Sequence, residues 1–244
     1  MKTQSELRSH IQLSDPQNNG IARLRIKRPD LRNALHSEMW QEIQSKIESL
    51  YPSDVRVLVI EGEQGVFTAG ADLNEIKTIG HDRNLATKIW TSIYAALDAV
   101  YASPFVTIAS ISGPCLGGGL LLATACDLRF ADDTARFSLP VAVKGIGLDS
   151  AILSRVAEVI GVAALKHLIY CGDTIDHHKA SSIGLLNECW AASELETMTM
   201  QKALAIASNN IDVILATKRA LHQDRCQSKN EDQSQIIESY LRLG

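Results

Sequence analysis

Two apolar segments, each followed by a glycine-containing turn and a helical pattern, constrain the fold of this chain most strongly. Residues 55–60 (VRVLVI) show little polar alternation, which is typical of a parallel strand covered on both faces. Residues 106–112 (VTIASIS) form a second predicted strand, and a glycine-rich loop at 113–119 opens the next helix. Strands that alternate with helices in this order predict an α/β fold with crossover helices.

The flanking segments extend the same pattern. Residues 21–27 (IARLRIK) alternate cationic and apolar side chains, which predicts a strand with one charged face. Apolar positions at helical spacing predict helices over about 37–50 and 82–101. Helices are expected to dominate from about residue 151 to the end.

The length of 244 residues fits one large α/β domain. We divide it into a core at 1–190 and a helical C-terminal region of the same domain at 191–244. The net charge is −4, whereas nucleic-acid-binding proteins are typically strongly basic, so no nucleic-acid partner is expected. Five widely spaced cysteines without a CxxC pair predict free thiols, with neither a disulfide framework nor a metal site. They are Cys115, Cys126, Cys171, Cys189 and Cys226.

Nothing in the sequence predicts association with a membrane. The first ten residues are polar and lack the apolar core of a secretory signal. The longest apolar stretch, at 116–126, is too short to span a bilayer. We therefore expect a cytoplasmic protein.

The first glycine-containing turn, at 67–73 (FTAGADL), precedes a helix predicted to start near Asp72. Asp72 and Glu75 stand three positions apart, as the two members of a capping box do. Backbone N–H groups at such a helix start lack partners within the helix and can point at an anion, aided by the helix dipole.

The second turn, at 113–119 (GPCLGGG), contains three consecutive glycines, which let the backbone approach a ligand without a Cβ atom in the way. Two such turns from neighbouring strands can aim two N–H groups at one oxygen, which is the geometry of an oxyanion hole. Packing alone could also explain each turn. The spacing matches neither the G-x-G-x-x-G dinucleotide fingerprint nor the GxxxxGK[ST] phosphate loop.

An ordered set of short motifs resembles the enoyl-CoA hydratase/isomerase (crotonase) superfamily over about residues 21–190. The motifs are RP at 28–29, NAL at 33–35, AGADL at 69–73, LGGG at 116–119, ACDL at 125–128 and FSLP at 137–140. The resemblance implies a crotonase-like spiral of ββα units, an acyl-CoA thioester as substrate, and a homotrimer or hexamer. Coenzyme A is then part of the substrate, and no separate cofactor is implied.

The same resemblance implies roles for individual residues. Ala71 and Gly118 would supply the two backbone N–H groups that hold the thioester oxygen, with Ala69 beside the substrate. Leu121 and Val141 occupy the two positions at which hydratases of the family carry glutamates. Because adding water across a double bond needs an acid/base pair, we expect these side chains to shape the acyl pocket instead of supporting hydration.

Asp149, in the run GIGLDSA at 145–151, is the acid that remains in register with the family. Several isomerases of the family carry a proton-shuttling aspartate there, and 4-chlorobenzoyl-CoA dehalogenase relatives carry a nucleophilic one in a similar run. An apolar loop would disfavour the charged carboxylate, which suits a proton carrier. Asp149 could instead cap the helix that follows, and the two roles can coexist.

Positive charge is concentrated near the first predicted strand. Lys27 and Arg28 are our candidates for attracting the phosphates of coenzyme A, together with Arg23, Arg25 and Arg32. A solvated charged face would explain the same pattern.

Two further features concern the histidines and the C-terminus. His177 and His178 are adjacent, so we expect diverging surface side chains that make a poor metal pair. His222 follows a stretch that resembles the C-terminal helix of the family, and a pocket role is possible for it. Beyond Leu221 the chain is polar and lacks the aromatic-rich ending with which relatives close the pocket and assemble.

Three functions stay open at this point. The first is an enoyl-CoA isomerase that works through a thioester enolate, with Asp149 moving the proton. The second is a dehalogenase or hydrolase in which Asp149 attacks the acyl group or activates water. The third is a protein that binds acyl-CoA without turning it over. The sequence favours the first, since double-bond isomerisation needs only one carboxylate.

Overall fold

The computed structural model describes residues 9–14, 16 and 19–222, so Cys226 and most of the polar C-terminal tail lie outside the described residues. Strands within this part form two sheets. The strands are β1 (Ile11–Leu13), β2 (Ile21–Ile26), β3 (Val57–Gly62), β4 (Val106–Ile111), β5 (Pro114–Leu116), β6 (Leu128–Asp132), β7 (Arg136–Ser138), β8 (Thr174–Asp176) and β9 (Glu188–Trp190).

Helices connect these strands and cover the larger sheet. They are a 3₁₀ turn at Pro29–Leu31, α1 (Ser37–Glu48), α2 (Leu73–Lys77), α3 (Arg83–Tyr101), α4 (Gly118–Ala125), α5 (Val141–Lys144), α6 (Ser150–Cys171), α7 (His177–Ser182), α8 (Leu195–Ser208) and α9 (Ile211–His222). Gly161 interrupts α6 with a non-helical backbone conformation. Across the described ranges, no helix combines the length and the apolar character needed to cross a bilayer.

The larger sheet has the order β1-β2-β3-β4-β6-β9 and is parallel except for β1. The predicted strand at 55–60 is confirmed but begins two residues later. The carbonyl of Gly20 accepts the N–H groups of Arg56 and Val57, and the ladder then starts with Ile21 opposite Val57. Tertiary pairing therefore sets this strand boundary.

Both faces of β3 are buried, as its lack of polar alternation predicts. Leu58 and Ile60 belong to the main core under the helices, which also contains Trp40 of α1. Val57 and Val59 belong to a smaller core on the other face, which α8 covers. The alternating side chains of one strand thus contribute to two separate apolar layers.

The second sheet gives the chain its spiral path. β5 follows β4, β7 follows β6, and these two short strands pair in parallel. Thr68, which follows β3, extends this layer through a parallel bridge to Cys115. Each turn of the chain therefore adds one strand to each layer before a helix, and the predicted α/β fold is confirmed.

The prediction of a loop over 113–119 is wrong in part. Residues Pro114–Leu116 form β5, and only Gly117 separates this strand from α4. Gly117 takes φ 53 and ψ −116, a conformation that favours glycine. The expectation of helices beyond residue 151 is largely met, although β8 and β9 interrupt them.

A buried lysine anchors α9 to the sheet. The Lys218 ammonium donates to the Asp127 carboxylate at 2.8 Å, to the Phe105 carbonyl at 2.8 Å and to the Ser103 hydroxyl at 3.1 Å. The side chains of Lys218 and Asp127 are 8% and 20% exposed. Removing one charge from a buried pair leaves the other charge without a partner, which is costly. The pair of Lys218 and Asp127 therefore stabilises the packing of α9 against the sheet.

We expect Lys218→Met to lower the free energy of unfolding by about 3 kcal/mol, because Asp127 would keep its charge without its cation. Urea denaturation followed by circular dichroism measures this change. Lys202→Met is the matched control, since Lys202 pairs with Glu188 at an exposed site and should cost less than about 1 kcal/mol. Equal effects of the two substitutions would contradict the anchoring role.

Candidate active site

A parallel bridge between Leu35 and Ala71 shapes the first glycine-containing turn. Leu35 donates its N–H to the Gly70 carbonyl at 2.8 Å and accepts the Asp72 N–H at 2.9 Å. Both bonds use the neighbours of Ala71. Among the described residues, the backbone hydrogen bonds therefore leave the N–H of Ala71 without an acceptor.

The second turn brings a comparable group to the same place. Gly118 is the first residue of α4, so its N–H has no acceptor within the helix. The preceding N–H, that of Gly117, donates to the Ser138 carbonyl at 2.8 Å and ties the turn to β7. Gly118 thus carries an N–H that the second turn leaves available.

The two turns approach each other at backbone distance. A Cβ atom at Gly70 would lie 2.4 Å from the Leu116 carbonyl oxygen and 3.0 Å from the Gly118 nitrogen, and Gly70 has φ +89. A Cβ atom at Gly118 would lie 3.6 Å from the Ala71 nitrogen. The structure therefore brings the predicted pair, Ala71 and Gly118, together, and two N–H groups so placed can serve one oxygen.

Three side chains that the sequence interpretation did not assign hold these turns. Thr68, fully buried, donates its hydroxyl to the Asn33 carbonyl at 2.7 Å and accepts the Gly70 N–H at 3.0 Å. Asn33 donates to the carbonyls of Glu63 and Val66. A polar threonine inside the otherwise apolar or small-residue stretch at 66–71 was the available signal, because buried polar groups are kept where they are hydrogen-bonded.

Trp40 is the third of these side chains. Its ring lies against Gly118, where an added Cβ atom would come within 3.1 Å of Cζ2. The indole N–H is buried and has no hydrogen-bond partner among the described residues. Apolar spacing placed Trp40 in a helix, but its contact with the glycine turn depends on how α1 packs.

The predicted capping box at α2 is half right. Asp72 caps α2 by accepting the Asn74 N–H at 2.8 Å. Glu75 does not return the contact, because its carboxylate accepts the N–H and the hydroxyl of Ser37. His36, at the N-cap of α1, makes no side-chain capping bond, so Glu75 supplies the cap from another helix.

Arg28 is bound to the first turn. Its guanidinium donates to the Asp72 carboxylate at 2.7 Å and to the Ala34 carbonyl at 3.0 Å. Burial alone would raise the pKa of Asp72, but the hydrogen bonds from Arg28 and from the Asn74 N–H outweigh it and lower that pKa below its usual value. The ion pair thus keeps Asp72 charged and in its capping position.

The other cations in and after the N-terminal strand differ in their exposure and in their acidic partners. Arg23 and Arg25 both bind Glu61, which confirms a charged face but engages their guanidinium groups. Lys27 is exposed and lies 3.4 Å from Glu63. Arg32 is exposed and takes a left-handed conformation with φ 51.

A solvent-open pocket lies beside Ala71. Its volume is about 300 Å³. The lining consists of residues 30–32, Ala34, Ala69 and residues 71–74. Ala69, predicted to lie beside the substrate, and the exposed Arg32 therefore share one pocket with Ala71.

Leu121 and Val141 are both buried members of the main apolar core. Leu121 follows Gly118 by one turn of α4, and its N–H donates to the Gly117 carbonyl at 3.2 Å. Val141 opens α5, directly after β7. The positions that carry glutamates in hydratases are thus apolar in sequence and apolar in surroundings.

Asp149 caps α6. Its carboxylate accepts the Ile152 N–H at 2.7 Å, and the residue is 7% exposed. The predicted capping role is therefore observed, and the proton-transfer role stays a prediction. α6 packs against α4 and α5, the helices that carry Leu121 and Val141.

The histidine predictions need one correction. The rings of His177 and His178 do not diverge, because their centroids lie 4.0 Å apart at the start of α7. His222 stacks on Tyr101 with ring centroids 3.9 Å apart. Burial lowers the pKa of His222 against an opposing effect of Asp127, and the ring is not among those lining the pocket beside Ala71.

We expect Gly70→Ala to destabilise the fold by at least about 2 kcal/mol more than Gly65→Ala. Both glycines have positive φ. A Cβ atom at Gly65 would have no described atom within 4 Å, whereas a Cβ atom at Gly70 would lie 2.4 Å from the Leu116 carbonyl oxygen. The free energies of unfolding in urea measure the difference. Equal costs would mean that the two turns do not constrain each other.

We expect Arg28→Met to lower the free energy of unfolding by about 2 kcal/mol at neutral pH. The folded pKa of Asp72 is depressed, so its contribution is present above its unfolded pKa of about 4 and is lost as pH falls through the folded value. The gap between wild type and variant should therefore shrink below about pH 4. Arg25→Met is the control, because Glu61 retains its ion pair with Arg23 when Arg25 is removed. A stability difference between wild type and Arg28→Met that does not change with pH would contradict the role of the Arg28–Asp72 ion pair.

Sequence and structure comparisons agree on the relatives of this chain. Rat mitochondrial methylglutaconyl-CoA hydratase (Rattus norvegicus) is 31% identical over 209 residues, covering 85% of this chain and 65% of that protein. The mouse (Mus musculus) mitochondrial enoyl-CoA hydratase domain-containing protein 2 is 34% identical over 192 residues, covering 78% of this chain and 64% of that protein. This chain thus spans about two thirds of the length of these two relatives.

Solved structures give the same result. An enoyl-CoA hydratase/carnithine racemase from Magnetospirillum magneticum superposes with a TM-score of 0.84 at 27% identity, covering 96% of this chain and 87% of that one. An enoyl-CoA hydratase/isomerase from Xanthobacter autotrophicus Py2 gives 0.81 at 26% identity, covering 96% and 86%. The sequence model of the enoyl-CoA hydratase/isomerase family matches residues 16–241. With its spiral fold and its two apposed glycine turns, the chain belongs to the enoyl-CoA hydratase/isomerase family.

Proposed function

We propose that this chain is an enoyl-CoA isomerase that moves a double bond through a thioester enolate. The approach of the Ala71 and Gly118 N–H groups, both left without acceptors among the described residues, is the observation that carries the proposal. Two such donors would stabilise the negative charge that develops on the thioester oxygen when an α-proton is removed. Membership of the family supports an acyl-CoA substrate.

Asp149 is the proposed proton carrier. Its carboxylate would take a proton from C2 of a 3-enoyl thioester, and the C–H electron pair would form the enolate held by Ala71 and Gly118. The protonated Asp149 would then return a proton to C4 as the C2–C3 double bond forms. The proton and the electron pair balance within one turnover, so no second acid or cofactor is needed.

The apolar positions 121 and 141 favour this reaction over hydration. Leu121 and Val141 cannot activate water or protonate a carbon, although a methylglutaconyl-CoA hydratase is among the relatives. Both side chains are buried in the apolar core. The two side chains would contact the acyl chain, and Asp149 would be the group that transfers the proton in the proposed mechanism.

Lys27 and Arg32 are the proposed attraction points for the phosphates of coenzyme A. Both are exposed, and Arg32 lines the pocket beside Ala71. Arg28, proposed from the sequence for the same role, already binds Asp72 and would act by holding the first turn. Exposed cations attract phosphates at long range, whereas a paired arginine positions what it binds.

To test this, the protein is incubated in deuterated water with 3-enoyl-CoA substrates whose acyl chains are short, medium or long. Mass spectrometry measures deuterium in the acyl group, and chromatography measures conversion to the conjugated 2-enoyl-CoA. We expect both with wild type, and a loss of at least about 100-fold in Asp149→Asn, because general acid–base groups contribute this much or more. Asparagine caps helices as well as aspartate, so the variant keeps the cap of α6.

Asp176→Asn is the matched control. Asp176 caps α7 by accepting the Lys179 N–H at 2.8 Å, the same contact three residues ahead that Asp149 makes at 2.7 Å. Activity should survive in Asp176→Asn. Turnover that persists in Asp149→Asn would remove Asp149 from the mechanism, and neither exchange nor conversion by wild type with any chain length would refute the isomerase proposal.

A further inference from the structure

Three side chains with metal-binding atoms meet at the C-terminal end of α6. His167 Nε2 lies 3.3 Å from an Asp173 carboxylate oxygen, and His167 Nδ1 lies 3.9 Å from Cys171 Sγ. One ligand atom from each of the three residues lies within 4.8 Å of the other two. The sequence predicted no metal site, because its cysteines are widely spaced and form no CxxC pair.

The backbone explains why these three residues converge. His167 and Cys171 are four positions apart and share one face of α6. Gly172 ends the helix in a left-handed conformation with φ 69, which turns the chain and brings Asp173 beside the last helical turn. A Cβ atom at Gly172 would lie 2.6 Å from Val143 Cγ2, so glycine is favoured there on two grounds.

The local charge suits a cation. The carbonyl end of a helix carries partial negative charge, and the Asp173 carboxylate adds to it. All three side chains are exposed, so a hydrated ion can reach them and keep a water ligand. Cys171 is also the exposed member of the described cysteines, whereas Cys115 and Cys126 are buried.

We propose that His167, Cys171 and Asp173 form a surface site for a borderline divalent cation of the Zn²⁺ class. Thiolate, imidazole and carboxylate together are a zinc-type ligand set, while Mg²⁺ and Ca²⁺ prefer oxygen alone. In a tetrahedral zinc site, ligand atoms lie about 3.3–3.6 Å apart. The 3.3 Å between His167 Nε2 and the Asp173 oxygen already meets this, so Nε2 would be the ligand nitrogen, and rotation of the exposed Cys171 side chain would bring Sγ from its place beside Nδ1 to the same ion. Water would occupy the fourth position.

This site is independent of the isomerase proposal. Asp149 caps the N-terminal end of α6, and the three ligands stand at the opposite end of the same helix, beyond the break at Gly161. Acyl-CoA turnover should therefore be unaffected by substitutions in the cluster. Failure of one proposal leaves the other standing.

Metal-free full-length protein, kept reduced, provides the test. Isothermal titration with Zn²⁺ measures affinity, and Co²⁺ reports thiolate coordination through its charge-transfer absorption. We expect one strong Zn²⁺ site, with His167→Gln and Cys171→Ser each weakening it at least about tenfold, since even outer-shell changes cost this much. Asp173→Asn should weaken it as well, and Cys171→Ser should abolish the thiolate band.

His178→Gln and Cys189→Ser are the controls, because they remove the same chemical groups at described positions outside the cluster. Both should leave Zn²⁺ affinity and the Co²⁺ band unchanged. Binding by wild type that is equally strong in His167→Gln and Cys171→Ser would place the ion elsewhere. No Zn²⁺ binding tighter than about 1 mM would mean that His167 and Asp173 only contact each other, and the proposal would be wrong.

Discussion

The backbone contact between the two glycine turns is the constraint on which the rest of this structure depends. Gly70 approaches the Leu116 carbonyl and the Gly118 nitrogen so closely that no side chain fits between them. The parallel bridges at Leu35–Ala71 and Thr68–Cys115 hold both turns in register. Because a parallel bridge bonds to the neighbours of Ala71, and a helix start has no internal acceptor for Gly118, the same constraint leaves two N–H groups available.

The surrounding polar side chains stabilise this contact through partners on other elements. Arg28 reaches Asp72 across the first turn, and Glu75 of α2 caps α1 through Ser37. Each of these groups is largely removed from water, so each needs its partner to offset the cost of desolvation. The helices on either side of Ala71 are consequently linked by charge and hydrogen bonds as well as by apolar packing.

The sequence predicted a large part of the fold because strand and helix periodicity is local. Residues 82–101 were expected to be helical, and α3 spans Arg83–Tyr101 with Asp82 as its cap. The two turns were singled out before their contact was known, since glycine runs between strand and helix are visible in one chain. Asp149 was expected to cap or to catalyse; the cap is observed, and its chemistry stays a proposal.

By itself, the sequence determined the longer strands and helices up to about residue 111, the two turns and the absence of carboxylates at Leu121 and Val141, because these follow from residue type and spacing. Tertiary structure alone decided the partner of Glu75, the contact of Trp40 with Gly118, and the pairing of Lys218 with Asp127. These contacts join residues far apart in the chain, and many other carboxylates or apolar side chains would satisfy the same local pattern. The packing of the helices on the sheet decides which of these candidates become partners, because it determines which polar groups are buried side by side and must pair to offset their desolvation.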